Sequence, residues 1–254
     1  MTERLQNILS KRGLASRRHA AAMILDGRVT VNQQVVLEPG FRVTLPQDVV
    51  TLDGVTIPPL EERHRTILLN KPRGVICSAS GEQGQTVCDL LRELPERLVP
   101  VGRLDKESEG LLLLSNDGEL IDHMTHPRYG QSKRYEVLVA GRCDNETLRQ
   151  LRAPMVLDGY AIRPCEIRLL KEEHAPRALT TLEFTLHEGR NRQIRKMCRE
   201  VGLRVVRLRR IAIGALTDFR LLPGQWRDLS PGELRLLRQK HGISTSLQST
   251  FSKD

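Results

Sequence analysis

At 254 residues, with 40 Lys and Arg against 31 Asp and Glu and a net charge of +9, the chain is long enough for two ordinary domains. It is also basic enough to favour an anionic partner, either nucleic acid or an acidic membrane surface. No apolar run approaches the roughly 18 residues of a membrane span, no apolar leader follows Met1-Thr2-Glu3-Arg4, and Cys77, Cys88, Cys143, Cys165 and Cys198 form no Cys-x-x-Cys pair. These features argue against a membrane protein, a secreted protein, a disulfide scaffold and a zinc module, and they suit a reducing cytoplasm.

Residues 2–27 predict two short helices. Thr2 is placed to cap the first, with Leu5, Ile8 and Leu9 inward and Gly13 ending it; Ser16 caps the second, with Ala20, Met23 and Ile24 inward and Gly27 as its stop. Their polar side carries Arg4, Lys11, Arg12, Arg17, Arg18 and Arg28 against Glu3 and Asp26. Alternation in Arg28-Val29-Thr30-Val31 predicts a strand, Asn32-Gln33 a turn, and Val49 to Ile57 a hairpin around Asp53-Gly54. A charged face is ordinarily just solvated, and residues 1–62 hold seven basic and seven acidic side chains, so only the helix face is basic. In this order, Arg4-Leu5, Ser16-Arg17-Arg18 and Gly27-Arg28-Val29-Thr30-Val31-Asn32 resemble the alpha-L RNA-binding module first known from a small-subunit ribosomal protein. The resemblance implies an RNA-binding domain over 1–60 that uses Arg4, Arg17, Arg18 and Arg28. Pro58-Pro59 then reads as a stiff linker.

A second domain opens with the apolar strand Thr66-Ile67-Leu68-Leu69 and the loop Asn70-Lys71-Pro72-Arg73-Gly74. Thr86 is placed to cap a helix containing Val87, Leu90, Leu91 and Leu94, and Leu98 to Val101 forms a strand. There follows Gly102-Arg103-Leu104-Asp105-Lys106-Glu107-Ser108-Glu109-Gly110, then the run Leu111 to Leu114 and the turn Asn116-Asp117-Gly118. The leucines read as one buried strand, which holds Asp105 at the rim of the core. An Asp ahead of Ser and Gly is commonly a turn former; on a loop positioned by a rigid sheet it is also a plausible catalytic group.

Glu119 to Thr125 predicts a short helix ended before Pro127, and Lys133 to Val139 a half-buried strand. Asp144 caps a helix from Asn145 to about Arg152, and Ala178 to His187 is a long alternating strand. A helix read from Asn191 places Ile194, Met197, Cys198 and Val201 on one face and Arg192, Arg195 and Arg199 on another. Leu203 to Arg210 concentrates further cations suited to phosphates. Gly224 to Leu229 ends the fold, Ser230-Pro231-Gly232-Glu233 reads as a capping box, and 241–254 is a polar tail expected to be disordered. His123 and His126 have a ligand-like spacing without an obvious third partner, so no metal is expected.

Four stretches together are more specific than any one of them: Lys71-Pro72; Gly102-Arg103-Leu104-Asp105 with Ser108 and Gly110-Leu111; Lys133-Arg134-Tyr135; and Glu188-Gly189-Arg190-Asn191-Arg192-Gln193-Ile194-Arg195. They resemble the motifs of the pseudouridine synthases, specifically the RsuA/RluB/RluE/RluF family that modifies ribosomal RNA. The resemblance implies an α+β catalytic domain over 65–240, built on a mixed, mostly antiparallel sheet flanked by helices. It also implies that Asp105 is catalytic, that Tyr135 stacks on the target base with Ile194 supporting its ring, and that Arg195 pairs with Asp105. Arg103 is implied to fill the space left by an everted base. Arg190, Arg192 and Arg199 are expected to contact the RNA.

No phosphate-binding Gly loop, dinucleotide fingerprint or Ser/Cys–His set is visible, so an NTPase, dehydrogenase or hydrolase is not supported. Turning uridine into its C-glycoside is an isomerisation, which calls for an ionised carboxylate beside a cation and for no cofactor. The expected partner is ribosomal RNA, as a stem-loop or pre-ribosomal particle, acted on by a cytoplasmic monomer. Through Asn191 to Arg195 and Gln225 to Leu229 the resemblance leans towards the enzymes that act on large-subunit RNA. A competing reading is a non-catalytic ribosome-associated RNA-binding protein.

Overall fold

The computed structural model describes residues 2–57, 64–78, 84–173 and 179–239. The linker expected at Pro58-Pro59 and the tail expected at 241–254 lie outside them. The chain divides into two compact units, Met1–His64 with Pro95–Arg97, and Arg65–Leu94 with Leu98–Asp254.

The smaller unit runs β1 (Thr2–Arg4), α1 (Leu5–Lys11), α2 (Arg17–Leu25), β2 (Val29–Val31), β3 (Gln34–Val35), β4 (Arg42–Thr44), β5 (Val50–Leu52) and β6 (Val55–Thr56). Leu5, Ile8, Leu9, Ala20 and Ile24 from the helices join Val29, Val31, Val43 and Val50 from the strands in its core. Ser16 caps α2 by accepting from the His19 amide at 3.2 Å, as the sequence predicts. Thr2 does not cap α1. It pairs with Thr44 across β1 and β4, and α1 starts from Arg4 without a side-chain cap. The turns at Asn32-Gln33 and Asp53-Gly54 place both central residues at positive φ, the geometry of tight hairpins.

The larger unit comprises β7 (Thr66–Lys71), β8 (Val99–Val101), β9 (Glu109–Ser115), α3 (Gly118–Thr125), β10 (Lys133–Ala140), α4 (Asn145–Arg152), β11 (Val156–Leu157), β12 (Tyr160–Ala161), β13 (Glu166–Glu173), β14 (Leu179–Leu186), α5 (Gln193–Glu200), β15 (Arg204–Ile213), β16 (Leu216–Thr217), β17 (Trp226–Asp228) and α6 (Pro231–Arg238). Its main sheet has the order β13-β14-β10-β15-β9-β7-β17, and every pairing in it is antiparallel except β15 with β9. This is the mixed, mostly antiparallel sheet expected.

β9 explains its own leucine run. Leu111 and Leu113 pack with Leu120 and Met124 of α3 and Leu237 of α6, while Leu112 and Leu114 pack on the opposite face with Val87, Leu91 and Leu98. A strand covered on both faces loses polar alternation. β7 is covered in the same way and stays buried to Lys71, so the loop expected from Asn70 begins two residues later. The helix expected after Thr86 is a single 3-10 turn, Asp89–Leu91. The Asp89 carboxylate folds back onto the Thr86 amide and hydroxyl at 2.8 and 2.9 Å and closes it. Among the described residues no helix is long and apolar enough to cross a membrane.

Candidate active site

Asp105 sits on the loop between β8 and β9, and this loop is fixed from several sides. The Asp105 carbonyl accepts from the Ser108 amide at 3.0 Å, Lys106 O accepts from the Gly74 amide at 2.7 Å, and the Leu104 amide lies 3.3 Å from Cys77 Sγ. Lys71, completely buried, donates its ammonium to Ser108 O at 2.7 Å and Pro72 O at 3.0 Å. Burial lowers the Lys71 pKa, against the pull of Cys77, Asp105 and Glu109. Lys71 is thus a pin that ties β7 to the end of the Asp105 loop.

The other wall is the turn ahead of α5. Glu188 accepts from the Gln193 side-chain amide at 3.1 Å and from the Arg163 backbone amide at 2.9 Å, and Gln193 Oε1 in turn accepts from the Arg190 amide at 3.2 Å. This arrangement holds Arg192 in the left-handed region at φ 52°, a conformation that costs free energy in a non-glycine residue. The helix therefore starts at Gln193 rather than Asn191, and Arg192 leaves the Arg195–Arg199 stripe to turn towards Asp105.

As a result, the ion pair expected of Arg195 is made by Arg192. Its Nη1 lies 3.9 Å from Asp105 Oδ2 and 3.4 Å from Glu107 Oε2. Arg195 donates Nη2 to Glu107 O at 3.3 Å and Ser108 Oγ at 3.4 Å, while its Nε is buried without a partner. Burial lowers the Arg195 pKa, Arg192 adds to that, and Glu107 and Asp105 oppose it.

Asp105, Tyr135, Ile194, Arg103, Arg190, Arg192 and Arg195 all line one cleft of about 760 Å³ in the larger unit. Tyr135 and Ile194 are buried and Arg103 is exposed. Arg190 stacks over the Tyr160 ring and lies 3.7 Å from Glu188. Arg199 is exposed at the far end of α5, 3.9 Å from Glu200, and is not among the residues lining the cleft. Arg4, Arg17, Arg18 and Arg28 belong to the smaller unit and are exposed. Arg28 is held by Asp53 through two bonds of 2.9 and 2.6 Å, whereas Arg17 and Arg18 occupy the first turn of α2, where the helix dipole disfavours cations.

Among the lining groups that a reading of the sequence does not place there are Tyr160, on a two-residue strand, and the cations Lys133 and Arg210. Arg210, counted among the phosphate-facing cations, donates Nε to Leu111 O at 2.6 Å and is 2 % exposed. A register shift between Arg134 and Tyr135 on β10 sets Tyr135 directly opposite it. Among the described residues no group of three His, Cys, Asp or Glu is arranged to hold a metal. His123 lies against Tyr129 and 3.0 Å from the Gln131 amide, and His126 Nδ1 accepts from the Arg128 amide.

A cleft that gathers a loop carboxylate, several arginines and a buried tyrosine agrees with what comparison with known proteins finds. Residues 65–200 match the RNA pseudouridylate synthase family, and residues 3–50 match the S4 domain. The chain belongs to the RNA pseudouridylate synthase family. An uncharacterized RNA pseudouridine synthase of Aquifex aeolicus is 42% identical over 246 residues, covering 96% of each chain. The ribosomal large subunit pseudouridine synthase B of Bacillus subtilis is 38% identical, covering 93% of this chain and 96% of its own. A solved pseudouridylate synthase superposes with a TM-score of 0.64 at 26% identity, over 92% of this chain and 99% of its own. Membership of this synthase family makes the protein an isomerase acting on RNA.

Proposed function

We propose that the protein isomerises a specific uridine of ribosomal RNA to pseudouridine, in large-subunit RNA, with the target base everted from its stack into the cleft and Asp105 as the catalytic carboxylate. The observation that carries this reading is the convergence of Asp105, Tyr135, Ile194 and Arg195 on one cleft of about 760 Å³, within the size range of small-ligand sites. The lean to large-subunit RNA is supported by the name of the Bacillus subtilis relative.

Each residue then has a physical task. Everting a base costs roughly a few kcal/mol, offset by stacking on the Tyr135 ring with Ile194 behind it and by Arg103 occupying the vacated stack. The loop tied down by Arg195 keeps the Asp105 carboxylate aimed, with the Arg192 guanidinium 3.9 Å from it. Arg190, Arg192 and Arg199 meet phosphates around the cleft, and Arg4, Arg17, Arg18 and Arg28 extend the contact in the smaller unit. The reaction conserves atoms and oxidation state, so these side chains suffice without a cofactor, and a cytoplasmic monomer acting on a stem-loop or pre-ribosomal particle is the working form.

Asp105→Asn tests the assignment on in vitro transcripts of both ribosomal RNAs. The expected result is no pseudouridine while RNA affinity stays within about threefold of wild type. Full activity in the variant would remove Asp105 from catalysis.

A further inference from the structure

We propose that Lys133 and Arg210 are catalytic residues that bind the uracil oxygens and hold the negative charge the base acquires during the reaction; this rests on the isomerisation proposed above. Lys133 and Tyr135 are two residues apart on β10 and so share a face, and Arg210 of β15 stands directly opposite Tyr135. All three line the cleft that contains Asp105.

The two cations are unusual in what they lack. Arg210, 2 % exposed, donates Nε to Leu111 O at 2.6 Å and leaves Nη2 buried without a partner. Lys133 donates to Gln131 O at 3.1 Å, and among the described residues neither side chain has a carboxylate partner. Elsewhere the protein neutralises such groups, as where Arg227 lies between Asp218 and Glu233 at 2.7 Å from each. Buried cations are normally paired, so the buried Arg210 and the half-buried Lys133, with open donors in one cleft, form a preorganised site for anionic oxygen. Burial, with Arg210 adding to it, lowers the Lys133 pKa to about 8, which leaves the ammonium mostly charged at neutral pH.

The ligand is the base rather than a phosphate because of depth. The backbone stays at the mouth, beside the exposed Arg103, Arg190 and Arg192, whereas the cations lie beside the buried Tyr135 ring. The chemistry agrees by every route. If the N1–C1′ bond breaks, by attack on ribose or after loss of a ribose proton, its electron pair leaves on N1 and spreads to O2 and O4. If a carboxylate instead adds to C6, the C5–C6 pair moves into an enolate on O4. Afterwards the N1–C1′ bond is broken on every route and C5 bonds to C1′. The carboxylate is expelled from ribose or from C6, or the ribose takes back its proton, the C5 proton leaves to a base and N1 takes one up, so nothing is gained or lost overall. In each case charge builds on the uracil oxygens, where donors are most effective.

The test measures single-turnover pseudouridine formation on in vitro transcripts of unmodified ribosomal RNA containing uridine, 2-thiouridine or 4-thiouridine. Sulfur is the poorer acceptor, so one of the thio transcripts slows wild type. Lys133→Met slows the uridine transcript about a hundredfold with RNA affinity nearly unchanged, and the thio effect shrinks in that variant. Lys133→Arg keeps the charge and stays within about tenfold of wild type. Absence of any thio effect in wild type overturns the inference whether or not the variants fold. So does Lys133→Met with lost RNA affinity and an intact thio effect, the mark of a phosphate site. Wild-type activity with an unimpaired Lys133→Met overturns this inference alone, whereas a wild-type chain that makes no pseudouridine overturns the proposed function with it.

Discussion

The Arg192 guanidinium lies 3.9 Å from the Asp105 carboxylate, and it reaches there from a left-handed backbone just outside α5. Arg195, one turn further on, instead secures the backbone that carries Asp105. The two arginines therefore do separable work, one exposed and electrostatic, the other half-buried and positional. Arg195→Ala should lower kcat about a hundredfold by letting the loop drift, a misplacement of about 1 Å being enough for that. Arg192→Ala should mainly raise KM for RNA. Steady-state kinetics on a ribosomal RNA transcript separates the two, and identical losses in both parameters for both variants would contradict the division.

Gly110 is where β9 passes closest to β15. Its φ is 105°, and a Cβ there would stand 2.3 Å from Arg210 O and 2.6 Å from Arg210 N. Backbone cannot yield as a flexible side chain does, so Gly110→Ala should cost about 3 kcal/mol or more. Urea unfolding followed by circular dichroism measures it; a midpoint unchanged from wild type would contradict the contact.

Lys133 should trade stability for function. Its folded-state pKa of about 8, set by burial first and Arg210 second, lies below that of a free lysine. Below pH 8 the ammonium is charged in both states and the folded state bears the whole penalty. Between pH 8 and about 10.4 the folded lysine is already neutral, so stability rises with pH. Lys133→Met should thus be more stable at pH 7 by about 1 to 3 kcal/mol, with the gap closing at higher pH. Thermal melts at pH 7 and 9.5 read both effects, and a less stable variant at pH 7 would refute them.

At the other end of the chain the effect of pH reverses. The Glu233 pKa is lowered to about 2 by Arg227, with the Ser230 amide and hydroxyl assisting. A depressed carboxylate contributes stability above its unfolded pKa and loses it as pH falls towards 2. Glu233→Gln should cost about 1 kcal/mol at pH 7, through the cap and the partly exposed pair, and nearly nothing at pH 2.5. Equal costs at both pH values would rule out the linkage.

Much of this was legible before folding because it is local. The leucines of β9, the caps at Ser16, Asp144 and Ser230, and the glycine stops need only neighbours in sequence. The misreadings are where distant partners decide. Thr2 pairs with Thr44 rather than capping α1, the Arg192 backbone is set by the Glu188–Gln193 network, and Lys71 and Arg210 look like surface cations until the sheet buries them, as Lys133 does until the cleft half-covers it. Charge is a poor guide to exposure in a strand whose inner face serves a cleft.

The parallel contact of Glu109 and Gly110 with Arg209 and Arg210 spans two residues and joins the half of the sheet bearing Asp105 to the half bearing Tyr135. A slip of one residue at this join would move the carboxylate past the ring by about 3.3 Å and reverse which side chains face inward. The distance between Asp105 and Tyr135 is therefore set through main-chain register rather than through the two side chains themselves. Two backbone pairs deep in the sheet thus keep the carboxylate and the ring in step.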